Sequence, residues 1–166
     1  MKKPVILFLL FLPFTSLAQE NLYDFWIGEW ELTWTDQNDE VKRGVNNIER
    51  VLNGKIIQEN FSTLEDDSSQ RFIGKSWTVY NKYSKKWKQT WVDNSGAYLD
   101  FTGFVDGDKK GFERSFTSPK GEKIYQRMVF YDITDESFTW DWQSSKDGEN
   151  WILKWRIYYK KDQDEK

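Results

Sequence analysis

The feature that most constrains this chain is a regular succession of short segments rich in β-branched and aromatic residues, separated by clusters of Asp, Asn, Gly, Ser and Lys. Such segments, bounded by turn residues, are typical of β-strands. Ten strands are predicted, at Gly28–Thr35, Val45–Leu52, Lys55–Leu64, Arg71–Asn81, Trp87–Val92, Ala97–Val105, Gly111–Thr117, Lys123–Ile133, Phe138–Ser144 and Trp151–Lys160. The sequence therefore predicts an all-β fold.

The connections between these segments are too short for parallel strands, which need a crossover of about a dozen residues. Asn53-Gly54 is a strong hairpin signal, because both central residues of such a turn adopt positive φ. The economical topology is an antiparallel up-and-down meander. Closing the meander removes its free edges and buries one face, so we predict an antiparallel β-barrel of about ten strands, with a β-sandwich as the alternative.

The first predicted strand indicates which of its faces is buried. Trp30, Leu32 and Trp34 share one face, and the residues between them are polar. The preceding segment, Leu22 to Ile27, is apolar nearly all round and too short to pair as a strand. We predict that this segment forms one helical turn that plugs an end of the barrel.

The N-terminus, residues 1–18, has the pattern of a secretory signal peptide. Lys2 and Lys3 precede the apolar run Val5 to Leu12, and Ser16-Leu17-Ala18 supplies small residues for cleavage. The apolar run is too short to span a bilayer. We expect cleavage after Ala18, no membrane insertion afterwards, and a periplasmic or secreted product; an uncleaved membrane anchor is the alternative.

Cleavage would leave 148 of the 166 residues, organised as a single barrel domain at 19–161 and a charged C-terminal tail at 162–166. Loss of Lys2 and Lys3 changes the formal net charge from −3 to −5. A negative net charge, with residues of both signs interspersed along the chain, argues against nucleic acid or an anionic membrane as a partner. We expect the partner to be a small molecule.

The sequence contains no His and no Cys, which excludes several kinds of site. Disulfides, His-ligated haem, zinc sites built from His or thiolate, and His-dependent hydrolase triads are all impossible. Paired carboxylates or an activated Lys or Tyr remain possible. The strand carboxylates Asp100, Glu113, Asp132 and Asp141 have no spacing that pairs them. We therefore predict no catalytic residue, no enzyme activity and no cofactor.

Three loop segments also have a structural interpretation. Calcium could bind at Asp106-Gly107-Asp108 or Glu65-Asp66-Asp67, but neither has the ligand number of a recognised loop, so no metal site is predicted. The segment Ser145 to Trp151 is similar to the Asp-box hairpin of sialidases, although it is one residue short and lacks the threonine. That box is a structural turn, so the similarity implies no glycosidase activity.

Polar residues within aromatic strand faces form the candidate ligand site. Trp87, Gln89 and Trp91 alternate on one strand, and a hairpin through Asn94-Ser95-Gly96 is expected to bring Tyr98, Asp100 and Thr102 onto the same face. Trp140 and Trp142 also share a face. The predicted ligand-binding residues are Trp34, Trp87, Gln89, Trp91, Tyr98, Asp100, Arg114, Arg127, Trp140 and Trp142.

The two arginines in this set lie in phase with apolar residues. Arg114 stands between Phe112 and Phe116, and Arg127 between Tyr125 and Val129. A charge on an apolar strand face is expensive to bury unless it is paired or used. One of these arginines could bind a ligand carboxylate or sugar acid; an internal Arg–Asp pair or a surface position is the alternative for each.

The opening of the first strand, Gly28-Glu29-Trp30, resembles the Gly-x-Trp of lipocalins and the wider calycin group of ligand-binding barrels. The longer segment Phe25-Trp26-Ile27-Gly28-Glu29-Trp30, together with Gln89 to Asn94 and Arg127-Met128, is also similar to exported bacterial lipocalin-like proteins described only as a domain of unknown function. The resemblance implies that Gly28 lets the backbone pass close to the plug and that Trp30 caps the closed end. An arginine of the last strand can cover such a ring. We therefore expect Trp30 and Arg156 to pack together.

Three kinds of function remain open at this point. The preferred prediction is a lipocalin-like barrel that binds a small apolar or amphipathic ligand in an aromatic-lined cavity. The first alternative is a carboxylate-dependent enzyme acting on glycans, or a carbohydrate-binding module. The second is a structural or interaction protein of the cell envelope.

Overall fold

The computed structural model of the protein describes residues 20–65 and 67–162. The predicted signal peptide, its cleavage site after Ala18, and residues 163–166 of the predicted tail lie outside the described residues. Within these two ranges, no helical segment is long and apolar enough to cross a membrane.

In the described residues, ten antiparallel strands form a closed barrel, which confirms the predicted all-β antiparallel barrel and excludes the β-sandwich. The strands are β1 (Gly28–Thr35), β2 (Val41–Val51), β3 (Ile56–Thr63), β4 (Ile73–Asn81), β5 (Lys86–Asp93), β6 (Tyr98–Asp106), β7 (Lys109–Thr117), β8 (Lys123–Tyr131), β9 (Ser137–Ser145) and β10 (Ile152–Lys161). Each strand pairs with its neighbours in the chain, and β1 closes the barrel against β10. Two short 3-10 turns, Asp24–Trp26 and Ser68–Gln70, lie outside the strands.

The start of β2 is the main difference from the predicted strand boundaries, because β2 begins at Val41 rather than Val45. A tight connection explains the earlier start. The Asp36 backbone N–H donates to the Glu40 carbonyl, and the Asp36 carboxylate accepts from the Asn38 and Glu40 backbone N–H groups. β2 therefore pairs with β1 along the whole of β1.

Side chains alternate between the inside and the outside of the barrel. In β1, Trp30, Leu32 and Trp34 are buried inside, as the sequence predicts. On β2, a Cβ at Gly44 would lie 3.1 Å from the Trp34 ring and 2.9 Å from the carbonyl oxygen of Ser62. Glycine at this position therefore leaves room for the Trp34 indole.

Aromatic side chains of the N-terminal segment fill one end of the interior. Tyr23 and Trp26 are buried together with Trp30. The Tyr23 ring stacks on Phe112 with centroids 4.4 Å apart, and Trp26 packs edge-on against Phe130 at 5.3 Å. The Trp30 indole N–H donates to the Trp26 carbonyl at 2.9 Å. This end of the barrel is thus packed solid with rings.

The Tyr23 hydroxyl ties this segment to the strands. It donates to the backbone carbonyl of Gly111 in β7 at 2.7 Å, and burial raises the pKa of Tyr23 well above its usual value. The hydroxyl therefore remains a neutral donor at physiological pH. A Cβ at Gly103 in β6 would lie 2.9 Å from this oxygen, so glycine there makes room for it.

Replacing Tyr23 with Phe is expected to lower the free energy of unfolding by about 1–2 kcal/mol, because one buried hydrogen bond is lost while the ring packing remains. Urea denaturation followed by tryptophan fluorescence measures the change. The matched control is Tyr98→Phe, since the Tyr98 side chain is 70 % exposed. Equal effects of the two substitutions would show that the Tyr23 hydroxyl does not anchor the segment.

Candidate ligand-binding site

Beyond the packed end, the barrel interior contains a cavity of about 360 Å³. Eight aromatic residues line it: Phe61, Phe72, Trp91, Phe101, Trp140, Trp142, Trp155 and Tyr159. The other lining residues are Leu99, Met128, Ile157, Glu59, Asp93 and Gln126. The volume falls within the range of roughly 300–1,000 Å³ that is usual for small-molecule sites.

Trp91 on β5 is held in place from two sides. Its indole lies over Gly74 of β4 so closely that a Cβ there would lie 2.0 Å from the ring. Its N–H donates to the Asp93 carboxylate at 2.9 Å. Because both contacts fix the ring, Trp91 presents a defined surface to the cavity together with Phe61, whose ring centroid lies 6.1 Å away.

Trp155 joins several aromatic residues at the β10 side of the cavity. Its ring meets Trp34, Trp140 and Phe61 edge-on, with centroid separations of 5.4, 5.8 and 5.9 Å. A register shift between Leu153 and Trp155 precedes it in β10. This irregularity changes the inside–outside alternation so that Trp155 faces inward.

A belt of polar side chains crosses the interior on neighbouring strands. Its centre is Glu59 of β3, which is 6 % exposed and lines the cavity. Asn46 on β2 donates its amide N–H to Glu59 Oε1 at 2.8 Å, and the Ser76 hydroxyl on β4 donates to Oε2 at 2.6 Å. Asn46 also donates to the Tyr159 hydroxyl at 3.2 Å, and Gln89 donates to Ser76 at 3.3 Å.

Burial dominates the electrostatics of Glu59. Loss of hydration raises the pKa of Glu59 from 4.5 to about 7, although the hydrogen bonds from Ser76 and Asn46 oppose this rise. Among the described residues, no lysine or arginine forms an ion pair with this carboxyl group. Glu59 is therefore a buried acid that neutral donors alone stabilise.

Three buried side-chain oxygens in or next to the belt have no hydrogen-bond partner in the described part of the protein. They are Asn46 Oδ1, Gln89 Oε1 and Thr78 Oγ1. Buried polar atoms are normally paired, so a group of unpaired acceptors near one carboxyl is unusual. Asn46 Oδ1 and Gln89 Oε1 can only accept hydrogen bonds, whereas the Thr78 hydroxyl can also donate one.

Arg114 faces the interior, as the sequence suggests. It pairs across β7 and β8 with Gln126, a cavity-lining residue. Its guanidinium lies over the rings of Phe116 and Phe101, at 4.8 and 5.8 Å from their centroids. Nη1 is buried and has no hydrogen-bond partner among the described residues. Arg114 is thus positioned to approach the cavity by way of Phe101.

Tyr98 and Asp100 do not face the cavity, so their predicted place on the Trp91 face is wrong. Trp91 pairs with Leu99, and both Tyr98 and Asp100 are exposed on the outer face. The reason lies in the turn, where the Asp93 carboxylate accepts from the backbone N–H groups of Ser95 and Ala97. This turn sets a register one residue away from the expected one, which reverses the face of every following side chain.

Arg127 is also on the outer face, contrary to the prediction that it lies in the candidate site. Its Nε donates to the Gln143 side chain at 2.7 Å, and its guanidinium lies 4.0 Å from the centroid of the Trp151 ring. Arg127 shares a strand face with the apolar residue Val129, which suggested that this face of β8 points inward. Val129 is buried, but it lies on the outer face of the barrel.

The predicted packing of Trp30 against Arg156 is wrong. Arg156 lies outside the barrel, where it forms two hydrogen bonds to the Asp141 carboxylate at 2.7 and 2.9 Å. Trp30 lies inside and pairs with Lys161, whose ammonium is 5.9 Å from the Trp30 ring centroid. Arg156 and Trp30 lie on opposite faces of the barrel wall. The contact that the lipocalin resemblance implies is therefore absent, and the resemblance gains no support from it.

The remaining predicted site residues occupy different parts of the interior. Trp91, Trp140 and Trp142 line the cavity. Trp87 belongs to the packed end, where its ring meets Tyr23 edge-on with centroids 5.2 Å apart. Gln89 belongs to the polar belt, and Trp34 packs behind Trp155. At the strand opening, Gly28 has a φ of 146°, which favours glycine.

Sequence reasoning missed Glu59, Asn46, Ser76 and Tyr159. The signal for Glu59 was present, because this carboxylate is in strand phase with Ile57 and Phe61. The same rule that selected Arg114 would have selected it. Asn46 and Ser76 give no comparable signal, since isolated small polar residues are common on either face of a strand.

The loop motifs show turn geometry. The Asp147 carboxylate accepts from the Asn150 side-chain amide and from the backbone N–H groups of Asn150 and Glu149, and these bonds hold the pKa of Asp147 well below its usual range. Among the described residues, which omit Asp66, no group of three or more Asp or Glu side chains could hold a metal ion.

Comparisons with known proteins identify no family. No protein-family model and no curated protein sequence matches the chain. Among solved structures, a redesigned β-barrel is similar at 10 % sequence identity, over 84 % of this chain and 94 % of that chain, with a TM-score of 0.44. A likeness at this level indicates nothing about function.

Glu59 is expected to make stability depend on pH. An acid whose pKa is higher in the folded state holds its proton more tightly there, so its contribution to the unfolding free energy falls as pH rises from 4.5 to about 7 and is level above. The fall corresponds to about 3 kcal/mol. The unfolding free energy of the Glu59→Gln variant should not show this fall. Urea denaturation at pH 5 and pH 8 compares the two proteins.

The control for this experiment is Glu31→Gln, which changes an exposed carboxylate on the outer face of β1. The unfolding free energy of this variant should follow that of the wild type at both pH values. If Glu59→Gln showed the same pH dependence as the wild type, the Glu59 carboxyl would be as well solvated in the folded protein as in the unfolded chain.

Proposed function

We propose that this protein is a ligand-binding barrel that holds a small apolar or amphipathic molecule in its aromatic-lined cavity. The observation that carries the proposal is the cavity of about 360 Å³, which eight aromatic side chains surround. Mostly apolar walls with a few converging polar groups are typical of small-molecule sites. In this proposal the rings bind the body of the ligand, and the polar lining fixes its orientation.

The division of the interior supports the same function. Tyr23, Trp26 and Trp30 fill one end, so that a ligand enters from the opposite end of the barrel. We infer that the 3-10 turn at Asp24–Trp26 acts as a plug. We propose a lipocalin-like organisation with one plugged and one open end, and a periplasmic or secreted location on the basis of the predicted signal peptide.

Arg114 is the arginine that supports an oriented ligand. Arg127 and Arg156 are engaged with Gln143 and Asp141 on the outer face, whereas the buried Nη1 of Arg114 has no partner among the described residues. A polar ligand group that reached this atom would satisfy an otherwise unpaired donor. Because Arg114 does not line the cavity itself, we propose that it reaches a ligand beside Phe101, a lining residue that its guanidinium covers.

The glycan-acting enzyme receives less support. A glycosidase needs two carboxyl groups about 5–10 Å apart in one open cleft. The carboxylates that line this cavity are Glu59 and Asp93. Asp93 already accepts hydrogen bonds from Trp91, Ser95 and Ala97, which assigns it to the turn. The structural alternative in the cell envelope lacks a specific observation in its favour.

Filling the cavity tests the proposal. Leu99→Trp adds ring volume to the cavity wall and is expected to reduce ligand affinity at least tenfold, because the ligand and the new side chain compete for one space. Native mass spectrometry first screens the protein for copurified molecules. Tryptophan fluorescence then follows titrations with fatty acids, bile acids and aromatic metabolites.

Leu153→Trp is the matched control, since Leu153 is 45 % exposed and does not line the cavity. This variant should bind as the wild type does. If Leu99→Trp folded and bound every ligand with unchanged affinity, or if the wild type bound no member of the panel, the cavity would not be a ligand site.

A further inference from the structure

The polar lining of the cavity differs from what an anionic ligand would need. Glu59 and Asp93 contribute carboxylates to the wall, and no lysine or arginine is among the lining residues. The guanidinium of Arg114 is directed at the rings of Phe101 and Phe116. A ligand carboxylate placed against Glu59 would meet a like charge in a poorly hydrated space. The interior therefore favours a ligand group that donates hydrogen bonds.

The hydrogen bonds of Glu59 leave room for such a donor. Each oxygen of a carboxylate accepts about two hydrogen bonds. In the described structure, Oε1 accepts one bond, from Asn46, and Oε2 accepts one, from Ser76. Asn46 Oδ1 and Gln89 Oε1, in the same belt, have no donor in the described part of the protein. Glu59 thus keeps the capacity to accept further hydrogen bonds, and it lines the cavity.

The aromatic walls favour a positively charged donor over a neutral one. Trp91, Trp140, Trp142 and Trp155 all line the cavity that Glu59 also lines. Indole faces attract cations through the ring quadrupole, and the attraction strengthens where water is excluded. A cluster of tryptophans beside a buried carboxylate is a suitable environment for an ammonium group.

We propose that Glu59 binds the ammonium end of an organic amine whose apolar body lies against the tryptophans of the cavity. This assignment rests on the proposed function, because it names the ligand class of the same cavity. In the complex, the ammonium donates to the Glu59 carboxylate, which lines the cavity. The apolar body extends from the belt toward Phe72 and Trp91.

The protonation of Glu59 gives the complex a distinctive pH dependence. An ammonium binds the ionised carboxylate, so binding below pH 7 must release the proton that Glu59 holds in the free protein, given its pKa of about 7. Affinity for an amine therefore rises with pH up to about 7 and then levels. The groups that face Glu59 are Tyr159 from β10, Asn46 from β2 and Ser76 from β4.

These neighbours do not interfere with the titration. The pKa of Tyr159 is raised well above its usual value by burial and by Glu59, so its phenol stays neutral. Asn46 and Ser76 carry no charge. Asp93 on β5 also lines the cavity, and hydrogen bonds from Ser95 and Trp91 keep its pKa below the usual value. The guanidinium of Arg114 on β7 lies near the cavity, over the Phe101 ring. Glu59 is the cavity group that changes charge near neutral pH.

Three probes with one apolar body test the assignment: 4-phenylbutylamine, 4-phenylbutan-1-ol and 4-phenylbutanoate. Isothermal titration calorimetry with the full-length protein at pH 8 should show that the amine binds at least tenfold more tightly than the alcohol. The acid should bind more weakly still. Between pH 8 and pH 6 the affinity for the amine should fall roughly tenfold, and that for the alcohol should stay constant.

Glu59→Gln supplies the decisive variant. It should lower the affinity for the amine to that for the alcohol and abolish the pH dependence, while the alcohol binds as it does to the wild type. Glu31→Gln, on the outer face, should change none of these values. If Glu59→Gln failed to fold, the pH dependence in the wild-type protein would still decide the matter.

The outcomes separate this inference from the proposed function. Binding of the alcohol or the acid as tight as that of the amine would overturn the amine assignment and leave a ligand-binding cavity. An amine affinity that does not change between pH 6 and pH 8 would also overturn it. If none of the three probes bound, both proposals would be contradicted.

Discussion

The pairing of β1 with β10 is the constraint on which the rest of the structure depends. It turns a meander with two free edges into a closed wall with a single interior. The pairing runs from Trp30 opposite Lys161 to Thr33 opposite Tyr158. Without it, Trp30 and Tyr159 would lie at sheet edges rather than inside. The cavity is encircled by strands only because these two strands pair.

Much of the fold could be predicted from the sequence, because strand length, turn chemistry and alternation are local properties. The first strand, Gly28–Thr35, was predicted with its observed boundaries and its buried face. The face of β6 was not, since the Asp93 turn decides whether Tyr98 or Leu99 points inward. A register shift of one residue in a turn moves every side chain of the following strand to the other face, and alternation within the strand does not reveal that shift. The strand itself is therefore predicted correctly, whereas the residues of β6 that face the cavity are not.

Charged residues in apolar phase posed a different difficulty. Arg114 and Arg127 look alike in sequence, yet one faces the interior and the other lies over Trp151 outside. The barrel has a second buried layer on its outer face, where Val129 and Asp141 are covered by neighbouring side chains. Burial is thus not confined to the inner face, and apolar phase alone does not identify it. Only the pairing of the strands shows whether a buried residue belongs to the interior of the barrel or to the covered part of its outer face.

The polar belt is difficult to explain as a device for stability. An acid buried among neutral donors destabilises the folded state whenever it is ionised, and an apolar side chain of similar volume at position 59 would avoid that penalty. The Tyr23 end of the same barrel shows that this chain can fill its interior with rings alone. The belt around Glu59 instead holds this carboxyl at the boundary of the cavity, which it lines. A buried carboxyl at that boundary is better explained by what enters the cavity than by what holds the barrel together.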